Sequence, residues 1–305
     1  MNTQELPRLG GRRKTLTSSP LRAVSSAARR SPLGFAAGSF LLVLAVAAVL
    51  APQLAPYDPL ELHRQDRLAD PNLKYWLGTD SFGRDQFSRL LYGSRVSLLV
   101  GTVPVLGSIA IGSCIGVFSA FTGGWRDSVI QRFMDCVMAF PTLITVLVMV
   151  SLLGPTLRNV VLVLMVVTIP TVNRVSRGLT LVTLQLSYIE SARASGARDL
   201  RIILFHIVPN VVPAVAVLAA SLTGGAILAE ASLSFLGLGV PPPEPTWGNL
   251  LAGQNREVFE VAPILAITPG IAIALTVLAF NLLGDALRDN LDPRMRGTRS
   301  VGGAS

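Results

Sequence analysis

Charge-free apolar stretches of about 20 residues recur along this chain, and a stretch of that length in a helix matches the hydrocarbon core of a bilayer. They run from Ser31 to Tyr57, Val96 to Trp125, Cys136 to Leu157, Asn159 to Asn173, Ile207 to Ala229 and Val261 to Gly284. Water is absent at that depth, so every backbone N–H and C=O must be satisfied within the protein, which helices achieve internally. The pattern therefore predicts an all-α integral membrane protein with about six transmembrane helices. Composition agrees: 14% of the 305 residues are charged, against about 25% in an ordinary soluble domain.

The fourth stretch is the shortest. It lies between Arg158 and Arg174 and contains Pro170, so it crosses only if both arginines reach toward the interfaces. Omitting it would put the two termini on opposite sides, yet both carry basic clusters. Arg8, Arg12, Arg13, Lys14, Arg22, Arg29 and Arg30 precede the first stretch, and Arg288, Arg294, Arg296 and Arg299 follow the last. Lys and Arg gather on the cytoplasmic side of membrane helices, so a multi-pass protein of the inner (plasma) membrane with both termini cytoplasmic is expected. The formal charge of +8 is then assigned to lipid headgroups, not nucleic acid. Arg84, Arg89 and Arg95 in the first outer loop run against that rule. A cleaved signal peptide would have an apolar core of roughly 7 to 15 residues, whereas no charge occurs from Ser31 to Tyr57, which favours an uncleaved first helix.

Several shorter features bear on packing. Phe87, Leu90 and Leu91 lie at helical spacing within Phe82 to Tyr92, which fits an interfacial helix or one packed on the bundle. Pro241, Pro242, Pro243 and Pro245 stiffen the last outer loop, and Trp247 beside them suits an interfacial anchor. Ala231 to Gly239 is too short to cross and reads as a re-entrant piece or a flap. Gly112 and Gly116 form a GxxxG that permits close helix approach, favoured here within the bundle over a subunit contact. Cys114 and Cys136 have no metal-type spacing and read as packing residues.

The spans contain few groups that do chemistry. The histidines are His63, in an outer loop, and His206, at the inner end of the fifth span, so no intramembrane Ser–His pair forms. Carboxylates that would relay a coupling proton are missing from the span centres, which carry hydroxyls such as Ser108, Ser113, Thr145, Ser151, Thr168, Ser221, Thr268 and Thr276. Gly10 to Thr15 imitates part of a phosphate loop but lacks the second Gly before Lys14 and a preceding strand. Energy for uphill transport must come from another polypeptide.

The longest cytoplasmic connection, 174–206, is too polar to cross. Its centre and exit read YIESARASGARDLRIILFHIVPN from Tyr188 to Asn210. Glu190 suits the positive start of a short helix, Ala192 and Ala194 favour helix, and Gly196 permits a turn. A second helical stretch, Arg198 to Phe205, follows, and Pro209 is expected to reset the chain at the fifth span. A solvated basic loop at the headgroups is the plainer reading of the same residues.

This segment resembles the EAA loop of permease subunits of binding-protein-dependent ABC importers: Glu190, Ala192, Gly196 and Pro209 match its spacing, while Ser191, His206 and Val208 depart from it. LAPYDP (Leu54 to Pro59), Leu77 to Leu98, Leu233 to Leu251 and Asn281 to Arg296 resemble further blocks of the dipeptide/oligopeptide/nickel branch, the DppC/OppC-like permeases. The resemblance implies a type I ABC importer permease fold that moves peptides or related small solutes by alternating access. It implies a heterodimer with a second homologous permease, two cytoplasmic ABC ATPase subunits and an extracytoplasmic solute-binding protein. It also implies no cofactor on this chain, with ATP and magnesium on the ATPases, so the chain itself is not an enzyme. Coupling to the ATPases falls to Glu190, Ser191, Ala192, Arg193, Gly196, Ala197, Arg198 and Pro209. Asp80, Arg84 and Asp85 are candidate contacts to the binding protein, against a purely local role in the loop. The implied division is a basic tail (1–30), an N-terminal module with the first helix and outer loop (31–95), a five-helix permease core (96–285) and a C-terminal tail (286–305). A membrane scaffold without a pathway is the contrasting expectation.

Overall fold

The structure, a computed structural model, describes residues 31–252 and 257–291. Both basic tails, apart from Arg288, lie outside the described residues. Among those described, five helices are long and apolar enough to cross a membrane, and a sixth crossing exists if one bent pair counts as a span. In chain order these are α1 (Pro32–Val49), the short α2 (Ala51–Leu54) and α3 (Gln86–Thr122). The bent pair α4 (Gly124–Met138) and α5 (Thr142–Leu153) follows, and then α6 (Leu157–Leu184). The short α7 (Ser187–Ala194) and α8 (Asp199–Ile202) lead to α9 (Val208–Phe235), the short α10 (Trp247–Leu250) and α11 (Ile264–Leu291).

The third expected span, Cys136 to Leu157, is not a single helix. α4 and α5 meet at 85° around Pro141, which is extended and caps α5. With 12 residues, α5 rises only about 18 Å, short of the ~30 Å hydrocarbon thickness. The fourth crossing is longer than its charge-free stretch, because α6 continues through Arg174 and Arg177 to Leu184. The first third of the expected 174–206 loop is thus helix.

α3 likewise begins before its apolar stretch. It starts at Gln86, inside the 31–95 module, with Asp85 as N-cap accepting from the Ser88 N–H. Gln86, Ser88 and Arg89 are buried, so this segment packs into the bundle and does not lie on the membrane surface. Ala231 to Phe235 is the last turn of α9, which reverses at Gly237 (φ +80°), and no re-entrant piece forms. Trp247 is buried, with its backbone N–H on Ser97 Oγ (3.0 Å) and its Nε1–H on the Leu90 carbonyl (3.0 Å); it ties α10 to α3 instead of anchoring at an interface. Cys114 and Cys136 are exposed, not packed inside.

The core forms where α3, α6 and α9 meet. α3 and α6 make the most extensive helix contact, and Gly112 and Gly116 allow it. A Cβ on Gly112 would lie 2.9 Å from the Ile169 carbonyl oxygen, and one on Gly116 would lie 2.6 Å from that of Asn173. The GxxxG therefore packs within the bundle, as expected. Val100, Val146, Val160, Leu164 and Leu233 fill one end of this core and Val117, Val172, Ile207 and Val211 the other. α1 packs mainly on α11, with Gly34 against Ala286. Large apolar side chains such as Leu42, Val43, Leu106, Leu152 and Ile271 face outward, as lipid contact requires.

Candidate functional site: a projecting helical elbow and its roots

The segment between α6 and α9 leaves the bundle as two short helices. α7 ends in a paired set of reverse hydrogen bonds: Gly196 N–H to the Arg193 carbonyl (2.9 Å) and Ala197 N–H to the Ala192 carbonyl (3.0 Å). This is a Schellman cap, which places its C′ residue in the left-handed region, and Gly196 has φ +78°. Nothing lies within 4 Å of where a Cβ on Gly196 would stand, so backbone conformation, not crowding, selects glycine.

Apolar anchors seat the elbow. Ile189 on α7 and Ile202 on α8 are buried against Val117 of α3 and Val172 of α6, with Ala197 packed alongside. Tyr188 and His206 rings lie 5.8 Å apart, and the Asn210 amide donates to the Tyr188 hydroxyl (3.2 Å) and the His206 carbonyl (2.6 Å). The entry to α9 is a π turn, Ile203–Ile207, closed by the Val208 N–H on the Ile203 carbonyl. Pro209 brings no N–H to the ladder, and this wider turn carries the helix past it. The chain is not reset at Pro209.

The outward face of the elbow carries charge without internal commitments. Glu190, Ser191, Arg193, Arg198 and Pro209 are exposed, while Ala192 and Ala197 are half-buried. Among the described residues no ion pair engages Glu190, Arg198 or Arg201. The Arg193 guanidinium lies 5.9 Å from the Phe121 ring centroid on α3. The elbow thus combines buried apolar roots with an exposed polar surface.

Directly behind it lies a polar network that sequence reading did not identify. Arg177 on α6 grips Asp127 on α4 with both Nε (2.8 Å) and Nη2 (2.6 Å). Ser119 donates to the same carboxylate, Gln131 donates to Ser119 (2.8 Å), and Asn173 donates to Gln131 (3.0 Å). Arg174 pairs with Asp135 at 3.1 Å. The network fastens α4 to α3 and α6, while Gly123 and Gly124, both at positive φ, join α4 to α3.

At the opposite end of the bundle, Asp80 and Asp85 are buried and bound within their own loop. Asp80 accepts from the backbone N–H of Phe82 (2.8 Å) and Arg84 (3.0 Å) and from Arg84 Nε (2.7 Å). Asp85 accepts from Ser88 N–H (2.8 Å) and Oγ (2.6 Å). Their place is in holding the loop together. Nearby, Lys74 and the Tyr75 hydroxyl both donate to Asp66 Oδ2 (2.7 and 2.8 Å), and these hydrogen bonds hold the Asp66 carboxyl below its ordinary range. Burial pushes the Tyr75 hydroxyl up, and the hydrogen bond to Asp66 pushes Lys74 up.

Among the described residues, one buried carboxylate lies inside a helix long enough to cross. Glu230 on α9 is buried and accepts from Ser234 Oγ (2.7 Å) and Thr246 Oγ1 (2.8 Å). It falls one residue beyond the expected stretch ending at Ala229. Four of the eight hydroxyls named as candidate pathway groups bond to their own helix or its cap: Ser108, Thr145, Thr168 and Thr268 donate to Val105, Pro141, Leu164 and Ile264 carbonyls.

Residues 112–297 match the family model described as binding-protein-dependent transport system inner membrane component, and residues 19–73 match the N-terminal TM domain of oligopeptide transport permease C. The chain is 45% identical over 268 residues to a glutathione transport system permease protein GsiD of Pectobacterium atrosepticum, covering 88% of this chain and 89% of that one. It is 43% identical over 270 residues to the protein of the same description in Escherichia coli O6:K15:H31, with the same coverage. In fold it is similar to a chain of the inward-facing MetNI methionine ABC transporter, with a TM-score of 0.53 and 17% identity, covering 67% of this chain and 97% of that one.

Proposed function

The chain belongs to the family of binding-protein-dependent transport system inner membrane components, and on that footing we propose that it carries a small peptide such as glutathione inward between itself and a second, homologous permease. It is a permease subunit of an ABC importer for a peptide-like solute, a non-catalytic multi-pass membrane protein whose ATP hydrolysis is performed by separate ATPase subunits. The scaffold reading is set aside, since the likeness to transport permeases spans 88% of the chain.

The observation that carries the mechanism is the elbow. Its two short helices project from the ends of α6 and α9, are rooted on Ile189 and Ile202, and present Glu190, Ser191, Arg193 and Arg198 to a partner. Two ATPase subunits, holding ATP and magnesium, receive one elbow from each permease in a cleft. Their closure moves the elbow, and the buried isoleucines pass that movement to α3, α6 and α9. A partner shifts such an equilibrium only through contacts that differ between its two states, and the elbow offers the exposed charge for them. Ala192, Gly196, Ala197 and Pro209 set its shape. The elbow and both termini then face the cytoplasm, and the solute-binding protein delivers cargo at the other end.

Uptake of labelled glutathione and dipeptides by proteoliposomes containing the full complex tests this reading. Glu190→Lys should leave membrane insertion intact and lower uptake and ATPase co-purification at least tenfold. Normal uptake by that variant would remove the coupling assignment, and a wild-type complex that moves no peptide would remove the cargo assignment.

A further inference from the structure

A cavity of about 430 Å³ opens at the end of the bundle opposite the elbow, between the start of α3, the turn after α9 and the proline-rich loop. That volume is within the range of small-ligand sites. Phe82, Val240 and Pro241 to Pro243 give it apolar walls, and Arg84 and Arg89 are the charged residues lining it.

The two arginines are unequally satisfied. Arg84 is matched to Asp80, whose two oxygens already take Arg84 Nε and two backbone N–H groups. Arg89 is 4% exposed and gives Nη1 to the Pro59 carbonyl (3.2 Å). Its Nε has no hydrogen-bond partner, and the Asp80 carboxylate stands 3.6 Å away. Glu230, behind Ser234, is taken up by two hydroxyls. A buried guanidinium with an unmet donor is costly unless an acceptor arrives, and the acceptor that fits its planar fork is a carboxylate.

We propose that this cavity is a carboxylate site, taking a carboxylate flanked by an apolar group. The free C-terminus of a peptide-like solute carries that chemistry, and so does an acidic side chain presented by the delivering protein. The importer reading supplies these two sources; the site itself rests on the cavity and on Arg89.

The test uses the full-length chain in lipid nanodiscs, titrated with N-acetylleucine and with N-acetylleucinamide, which differs only in lacking the charge. The acid should bind at least tenfold more tightly than the amide, and Arg89→Gln should remove that preference while Arg89→Lys keeps part of it. Monodispersity of each variant separates lost binding from lost fold. In the assembled complex, N-acetylleucine that competes with the binding protein identifies a protein carboxylate as occupant, and binding without competition identifies a free solute. Equal affinity for acid and amide, together with docking of the binding protein unchanged by Arg89→Gln, would overturn the site. Uptake of labelled peptide by the same preparation reads the importer function separately, so a transporting complex that does not discriminate acid from amide removes only the carboxylate site.

Discussion

Gly196 is the residue whose conformation most directly shapes the elbow. In the left-handed region a β-branched side chain costs about 1–2 kcal/mol, and the empty space around Gly196 offers no clash to relieve. Gly196→Val should therefore open the Schellman cap without unfolding the bundle, and uptake should fall at least tenfold at normal membrane levels. Gly196→Asn, which tolerates positive φ, should retain most of it. Equal loss in both variants would show that the glycine matters for something other than φ. At the other end, Asp66 ties Lys74 and Tyr75 together. A carboxyl whose folded pKa is depressed contributes stability above its unfolded value, near 3.8, and loses it as pH falls through the folded value. Lys74 and Tyr75 are raised, so their contribution is complete below ordinary values of 10.5 and 10.0 and is lost as pH rises through the folded ones. Hydrogen-exchange protection factors across residues 66–79, taken relative to the intrinsic exchange rate at each pH, should be flat between about pH 5 and pH 9 and should fall below about pH 4. Protection unchanged at pH 3 would remove Asp66 from that role.

At the level of elements, what the sequence conveyed was the position of five crossings, and what it concealed was where crossings end and that the third expected span is a bent pair. Charges bounded the stretches, but a charge paired with another helix does not end a helix. Arg174 and Arg177 sit within α6 because Asp135 and Asp127 face them from α4, and those pairings are separated by 39 and 50 positions. Glu230 escaped for the same reason, as its partner Thr246 lies beyond the turn. Trp247 looked interfacial because the hydroxyl and carbonyl it bonds belong to α3. The elbow was more legible, since Glu190, Ala192 and Gly196 act within one local motif; its buried roots on α3 and α6 were not. The α4–α6 clamp should be measurable: a double-mutant cycle of Asp127→Asn and Arg177→Gln should give a coupling of about 1–2 kcal/mol. Coupling near zero would mean that α4 is held by its other contacts. Gly116→Leu should cost about 1–3 kcal/mol by overpacking α3 on α6, read as a lower thermal midpoint in nanodiscs, whereas Gly225→Ala, in open space, should not.

The whole molecule divides its labour by end. One end carries the elbow, its isoleucine roots and the α4 clamp; the other carries the self-bound outer loop, the proline-rich turn and the arginine-lined cavity, with the glycine-packed α3–α6 pair between them. The first helix stands apart from this axis, because its main partner is the last one, through Gly34 and Ala286. Chains are made from the N-terminus at about 5–20 residues per second, so α1 enters the lipid on the order of tens of seconds before α11 exists. During synthesis its small-residue face is open to other helices, including those of insertion machinery or a second permease emerging nearby. A ribosome stalled anywhere before α11 would release a product whose first helix has lost its main partner, a mark by which membrane proteases can tell unfinished copies from finished ones.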